Sequence, residues 1–262
     1  MSQLAPWLEP LAPRAAAAAL HGLRLLPAAL LCPFMGGPLV PSLVRLALAF
    51  GLGACAWSGA GGAPFEGGEA DLLGAAAREL ALGTALGLLA AVPFEAARAG
   101  GRLVDTLRGA TLAELHVAPL RQRESATGDL LVQWLVVLAA NAGGSRLVVS
   151  ALLETFRAVP LGGVVAPSML LDTGLRGAAE LLACALALGA PAAAGVLAAD
   201  LAVSLASRAA PRLSIAPTAQ PARAALGLLA VAVPAAALAG RLTSAVALSA
   251  GLLRSIASGR PP

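Results

Sequence analysis

The stretch VPFEAARAGGRLVDTLRGAT, residues 92–111, sets three arginines and two carboxylates beside a glycine pair, between long apolar runs. Placed on a helix at about 100° per residue, Glu95, Arg98, Arg102, Asp105 and Arg108 fall within an arc of about 140°, with Ala96, Gly100, Leu103, Val104 and Leu107 opposite. Glu95 to Arg98, Arg102 to Asp105 and Asp105 to Arg108 are each three residues apart. Ion pairs worth a few tenths of a kcal/mol can therefore lace the stripe. Charge compensation explains the pattern more economically than catalysis. Pro93 before the stripe and Gly109 after it mark boundaries or a kink, and a long mixed connection follows over 110–128.

The rest of the chain places that amphipathic segment in a membrane protein. Of the 262 residues, 58% are hydrophobic, and the mean hydropathy is +0.83, whereas soluble domains run at about 45–50% apolar. Tyr is absent and aromatics total 3%, leaving Trp7, Trp57 and Trp134 as the only indole anchors. Aromatic belts at the two membrane surfaces are nearly missing. All 18 basic residues are arginine and the net charge of +4 is diffuse, with no basic run of the kind that tracks nucleic acid. Cys32, Cys55 and Cys184 show no metal or CxxC spacing and read as buried small hydrophobes. Glu9 and two prolines precede the first positive charge, Arg14, and His21 and Arg24 interrupt the apolar run that follows. The first segment is expected to be retained, not cleaved.

Six apolar segments are predicted, near 14–31, 39–57, 72–94, 129–153, 175–206 and 224–253, each close to the roughly 20 residues that cross a hydrocarbon core. Pro- and Gly-rich turns separate them, no fixed-period repeat is evident, and one all-α, polytopic domain is expected over 1–262. Eight arginines (98, 102, 108, 121, 123, 208, 212 and 223) lie in two connections on one face, against four (14, 157, 254 and 260) on the other, which also carries Glu66, Glu69 and Asp71. This bias favours a cytoplasmic 95–128. Pro234, Gly240 and Arg241 break the last segment into a possible hairpin, which leaves the side of the C-terminal tail open.

Six arginines remain inside the apolar segments: Arg24, Arg45, Arg78, Arg146, Arg176 and Arg241. Each costs on the order of 2.5–3.5 kcal/mol at the centre of a lipid-facing helix. Glu79, Asn141, Glu154, Glu180 and Asp200 add further polar groups. Snorkelling from segment ends suits Arg78 and Arg176, the latter one turn from Glu180, but suits Arg24 and Arg45 poorly. Partners are therefore expected from other helices, other chains or water. Gly83 and Gly87 have the spacing that lets helices approach closely.

On these residues the chain resembles the SctT/FliR family (YscT/SpaR/HrcT-like) of type III secretion export-apparatus proteins. Pro93, Phe94, Gly101, Asp105, Arg108 and Gly109 match a motif near the middle of that family, with Leu107 standing where Gln is usual. QRESATGDL (122–130) resembles the following stretch and leads into an apolar helix, then AGG (142–144) and TFRAVP (155–160). AADLAVSLASRAAPRLSIAPTAQPARA (198–224) resembles a later motif in which Asp200, Arg208, Pro211 and Pro221 match. Ser214, Ala216 and Arg223 replace the usual Asn, Phe and Lys. The similarity is colinear over roughly 70–240, and the Asp-x-x-Arg-Gly form is closer to the injectisome branch than to the flagellar one.

The resemblance implies a non-enzymatic, multi-pass subunit of the bacterial inner membrane, seated in the secretion basal body and needing no cofactor or metal. With SctR and SctS (FliP and FliQ in flagella) it would form the helical gate through which unfolded proteins leave, with SctU (FlhB-like) and SctV (FlhA-like) beside it. The apolar helices would pack as tilted hairpins partly raised out of the bilayer, which accounts for the internal arginines. By position, residues 110–125 would supply a pore plug, with Leu112, Leu115, Val117 and Pro119 giving bulk and Glu114, His116, Arg121 and Arg123 facing water. The stripe from Glu95 to Arg108 would be an assembly or pore-lining face, so exchanging Asp105 and Arg108 is expected to impair complex formation.

A solute permease or channel is the alternative, since buried charges and broken helices also mark transport paths, though no inverted repeat is seen. An intramembrane enzyme has little support: His21 and His116 lack a metalloprotease or nucleophile-elbow context, and Asp200 suits a structural role better than a proton relay.

Overall fold

The computed structural model describes residues 11–36, 40–109, 125–209, 221, 224–229, 232–233 and 235–258. Among them every regular element is helical: α1 (Ala12–Leu31), a 3-10 turn (Pro33–Met35), α2 (Ser42–Gly59), α3 (Glu69–Leu107), α4 (Ala126–Asn141), α5 (Gly144–Ala158), α6 (Pro167–Ala209) and α7 (Ala235–Ser258). α2, α3 and α6 are each long and apolar enough to cross a membrane, and α4 with α5 makes a fourth if counted as one broken span.

Two predicted boundaries move. Pro93 lies inside α3, so the apolar run and the charged stripe form one helix of 39 residues. A helix-interior proline loses a hydrogen bond and crowds the preceding turn. Here Leu89, Ala90, Ala91, Val92, Phe94, Ala96 and Ala97 around it are all buried, and packing overrides the local cost. Conversely, the single segment expected over 129–153 is interrupted: α4 stops at Asn141, and Gly143, with φ +78°, starts α5. Only glycine adopts that conformation freely. A short helical piece at 224–229 precedes α7. Of the three residues expected to break the last segment, Gly240 and Arg241 lie inside α7, which continues through them, and Pro234 lies outside the described residues.

Contacts divide the chain into two compact units, one of 1–92, 142–178 and 246–262, the other of 93–141 and 179–245. The first is assembled by close helix crossings. A Cβ on Gly53 of α2 would fall on the backbone of Gly22 in α1, and a Cβ on Gly83 of α3 would fall on the Arg24 carbonyl. Gly87, one turn on, would place its Cβ 2.9 Å from the Ala28 nitrogen. The small-residue spacing seen in the sequence thus marks where α3 meets α1. Leu20, Leu25, Leu86, Val148, Leu152 and Leu253 fill the core around these crossings. Asp71 in the first turn of α3 accepts the Gly68 N–H at 3.0 Å, and with Glu69 it meets the positive end of the helix dipole.

α2 is the exception in this unit, with only Ala49 and Gly53 buried along its length. Leu43, Val44, Leu46 and Leu48 face outward, whereas the Phe50 ring lies against Gly22 of α1. Cys55 of α2 is exposed while Cys32, at the end of α1, is buried. Burial pushes the Cys32 thiol up to about 11, which disfavours the thiolate, the reactive form. In mild detergent, maleimide is expected to label Cys55 promptly and Cys32 only after unfolding. Mass spectrometry of the labelled peptides checks this, and prompt labelling of Cys32 in the folded chain contradicts the packing of α1.

The second unit has its core in Phe94, Val104, Leu131, Leu135, Leu188 and Leu242. Gly100 again permits contact, 2.7 Å from the Leu188 Cβ if it carried its own. Leu182, Leu186, Leu197, Leu201 and Leu205 of α6 are each more than half exposed. On a helix they span an arc of about 140°, an apolar face that no other described element covers.

Candidate functional site

The charged stripe of α3 is only partly the ion-pair ladder its spacing predicts. Glu95 accepts from Arg98 Nη1 at 2.6 Å, and Asp105 pairs with Arg108 Nη2 at 2.7 Å, both three apart as expected. The third predicted pair is replaced. Arg102 is exposed, whereas Asp105 is 2% exposed and turns toward the start of α4. Its Oδ1 also accepts from Arg108 Nε at 2.8 Å and from the Thr127 hydroxyl at 2.6 Å. Its Oδ2 accepts the Thr127 N–H at 3.1 Å and the Ser125 hydroxyl.

Ser125 in turn accepts the Gly128 N–H at 3.0 Å, which makes it the N-cap of α4. A helix start leaves its first N–H groups without partners, and here Ser125 and Asp105 satisfy two of them. Gly101 makes this possible: a Cβ there would overlap the backbone of Gly128 and Thr127, so α3 and α4 cross with almost no side chain between them. Arg108 and Gly109 follow the end of α3 at Leu107, Gly109 at φ +75° with its N–H on the Thr106 carbonyl at 3.1 Å.

The remaining motif positions are placed as follows. Pro93 and Phe94 are buried inside α3. Asp200 is half-buried in α6, and Arg208 is exposed in its last turn, where a cation complements the dipole. Pro221 is exposed. Pro211 and the plug positions Leu112, Glu114, Leu115, His116, Val117, Pro119, Arg121 and Arg123 lie outside the described residues.

A second polar node, in the first unit, pairs two residues that the sequence left without partners. Arg24 of α1 and Glu79 of α3 form a bidentate ion pair, Nε to Oε2 at 2.5 Å and Nη2 to Oε1 at 3.0 Å. Their side chains are 0% and 2% exposed. Arg24 Nη1 also donates to the carbonyls of Thr155 at 3.2 Å and Val159 at 2.9 Å, at the end of α5. Its guanidinium lies 4.4 Å from the centroid of the Phe156 ring, and the His21 ring stacks on Phe156 at 5.0 Å. His21 Nδ1 donates to the Ala17 carbonyl at 2.8 Å.

Glu79 Oε1 accepts the Gly162 N–H at 3.0 Å, and Arg78 donates to the Gly162 carbonyl at 3.2 Å. One ion pair thus joins α1, α3, the end of α5 and the turn beyond it. Arg176 pairs with Asp172 on its own helix, and Arg254 with Glu154 across helices. Phe156 also walls a cavity of about 420 Å³ between α2 and α5. Among the described residues no group of three or more His, Cys, Asp and Glu is placed to hold a metal ion.

Neither node was visible as a unit in the sequence. Capping chemistry was the usable signal at Ser125, since a serine just before an apolar helical run is a common N-cap. Nothing local pairs Arg24 with Glu79.

The family model described as bacterial export proteins, family 1, matches residues 15–248. Secretion system apparatus protein SsaT of Salmonella typhimurium is 36% identical over 90 residues, 34% of this chain and 35% of that protein. Yop proteins translocation protein T of Yersinia pestis is 30% identical over 154 residues, 58% of this chain and 59% of that protein. The Yop proteins translocation protein T of Yersinia pseudotuberculosis matches over the same share. The matched stretches thus span less than two thirds of these relatives.

Proposed function

The chain belongs to the bacterial export proteins of family 1, and from that premise we propose that it is a structural, non-catalytic subunit of a type III secretion export gate in the bacterial inner membrane. The family match over residues 15–248 carries this proposal. Its partners are the SctR- and SctS-like subunits, with SctU- and SctV-like components adjacent, and its cargo is unfolded protein in transit. Protein translocation in the names of the Yersinia relatives supports the injectisome branch over the flagellar one. Interior arginines satisfied by other helices, as Arg24 is by Glu79, suit a subunit embedded among protein neighbours.

The test is native mass spectrometry of tagged protein, gently extracted from its own host. The expected result is a stable complex with several copies of two small polytopic proteins related to SctR and SctS. A monomer or simple homodimer, unchanged across mild detergents with those proteins expressed, overturns the proposal in favour of a permease.

Within that gate, the connection after Arg108 acts as the plug, with Leu112, Leu115, Val117 and Pro119 as its bulk and Glu114, His116, Arg121 and Arg123 toward water. Deleting residues 112–120 is expected to raise ion leakage through assembled complexes severalfold, measured with a membrane-potential dye, and to alter secretion. Unchanged leakage and unchanged secretion would remove the plug role.

A further inference from the structure

Asp105 is unusual among the charged residues of α3 because its partners lie on both sides of the 110–124 connection. Arg108 precedes that connection, and Ser125 and Thr127 follow it. Five donors converge on its two oxygens: two nitrogens of Arg108, both hydroxyls and the Thr127 N–H. A carboxylate offers about four lone-pair sites, so this one has no capacity left for water, a proton relay or a partner subunit.

The glycines explain how the site is built. Asp105 lies one turn after Gly101, and Ser125 one turn before Gly128. A crossing in which those two glycines touch therefore brings the end of α3 and the start of α4 to the same level.

We infer that Asp105 is a positioning residue whose carboxylate fastens the last turn of α3 to the first turn of α4. The ends of α3 and α4 that flank residues 110–124 are thereby held at one root. Only the leakage readout rests on the plug role proposed above; the fastening itself does not.

The experiment uses the whole complex in its own membrane or gently extracted from it. Asp105→Asn removes the charge, and the double variant Ser125→Ala with Thr127→Val removes the hydroxyl donors but keeps the carboxylate. Hydrogen exchange of the amides at 126–130 reads the root directly. Both variants are expected to speed that exchange on the order of tenfold or more, because a charged, buried hydrogen-bond set is lost. Combining them is expected to add little, since they remove the same link. Thr127→Ser, which keeps both of its donors, is expected to exchange like the parent.

Unchanged exchange in the double variant overturns the inference, and that variant decides the matter if Asp105→Asn fails to accumulate. Replacing 110–124 with a Gly/Ser linker of equal length separates the two ideas. The expected result is parental exchange at 126–130 with raised leakage. Fast exchange at the root in the linker protein contradicts the fastening, and parental leakage contradicts the plug.

Discussion

Glu79→Ala will strip most of this protein from the membrane. The substitution leaves Arg24 with a charge and no counter-charge in a site where its side chain is 0% exposed. Breaking a buried pair by removing one partner costs about 3–5 kcal/mol, a large part of the roughly 5–15 kcal/mol that holds a typical domain. The Gly162 N–H loses its acceptor at the same time, so the turn after α5 loosens as well. Glu66→Ala, at an exposed position before α3, is the control and should stay within about 0.5 kcal/mol of the parent.

Removing both charges, as Arg24→Met with Glu79→Leu, should be less damaging than the single change, because no stranded ion remains. Exchanging the two residues should not restore the protein, because a glutamate at position 24 cannot donate to the Thr155 and Val159 carbonyls. Quantitative blotting of membranes with a heat-aggregation midpoint measures all four. Parental abundance of Glu79→Ala would mean the pair is dispensable.

Glycine substitutions should divide sharply by position. Gly83→Val and Gly101→Val drive a side chain into backbone, at the Arg24 carbonyl and at Gly128 respectively, and backbone within two packed helices cannot step aside as a side-chain tip can. Overpacking of this kind costs about 1–3 kcal/mol and sometimes more. For Gly101 the loss should include the Asp105 link, since the crossing sets its level. Gly74, Gly240 and Gly251 are helical and would meet nothing within 4 Å. Alanine there should be neutral or should stabilise by about 0.5–1 kcal/mol, because glycine weakens a helix interior. Membrane thermal-shift midpoints for the two sets test the division, and overlapping values would deny the close crossings.

What the sequence disclosed follows from what local patterns encode. The 3.6-residue period exposed the charged stripe, and the Gly83 and Gly87 spacing located a helix crossing, because both are properties of one helix. The Arg24 and Glu79 pair joins residues 55 positions apart on different helices, and no periodicity records which buried charge finds which. Both were identifiable only as charges in need of partners. Asp105 was paired with Arg102 and Arg108 alone, and its bonds to Ser125 and Thr127 escaped notice because helical projection gives an angle but not what stands at that angle. Pro93 was given too much weight, since its local penalty is offset by burial that only the assembled helix supplies. The break at Gly143 was missed for the opposite reason: the apolar composition continues across it, and a left-handed backbone leaves no trace in hydropathy.

The unbroken passage of α3 through Pro93 turns that helix into a measuring rod. At about 1.5 Å per residue, its 39 residues run about 58 Å along the axis, nearly twice the roughly 30 Å of a hydrocarbon core. The apolar part from 72 to 94 alone accounts for about 35 Å, enough to match the bilayer with modest tilt. From Phe94 to Asp105 the helix continues for about 16 Å. The position of Asp105 along α3 is therefore set by a residue count from Phe94 and not by any contact at the knot itself. Adding one residue in that interval would raise it by about 1.5 Å and swing it by about 100°, turning the carboxylate away from Ser125. Adding four residues, about one turn, would nearly keep its aim but carry it about 6 Å along the axis.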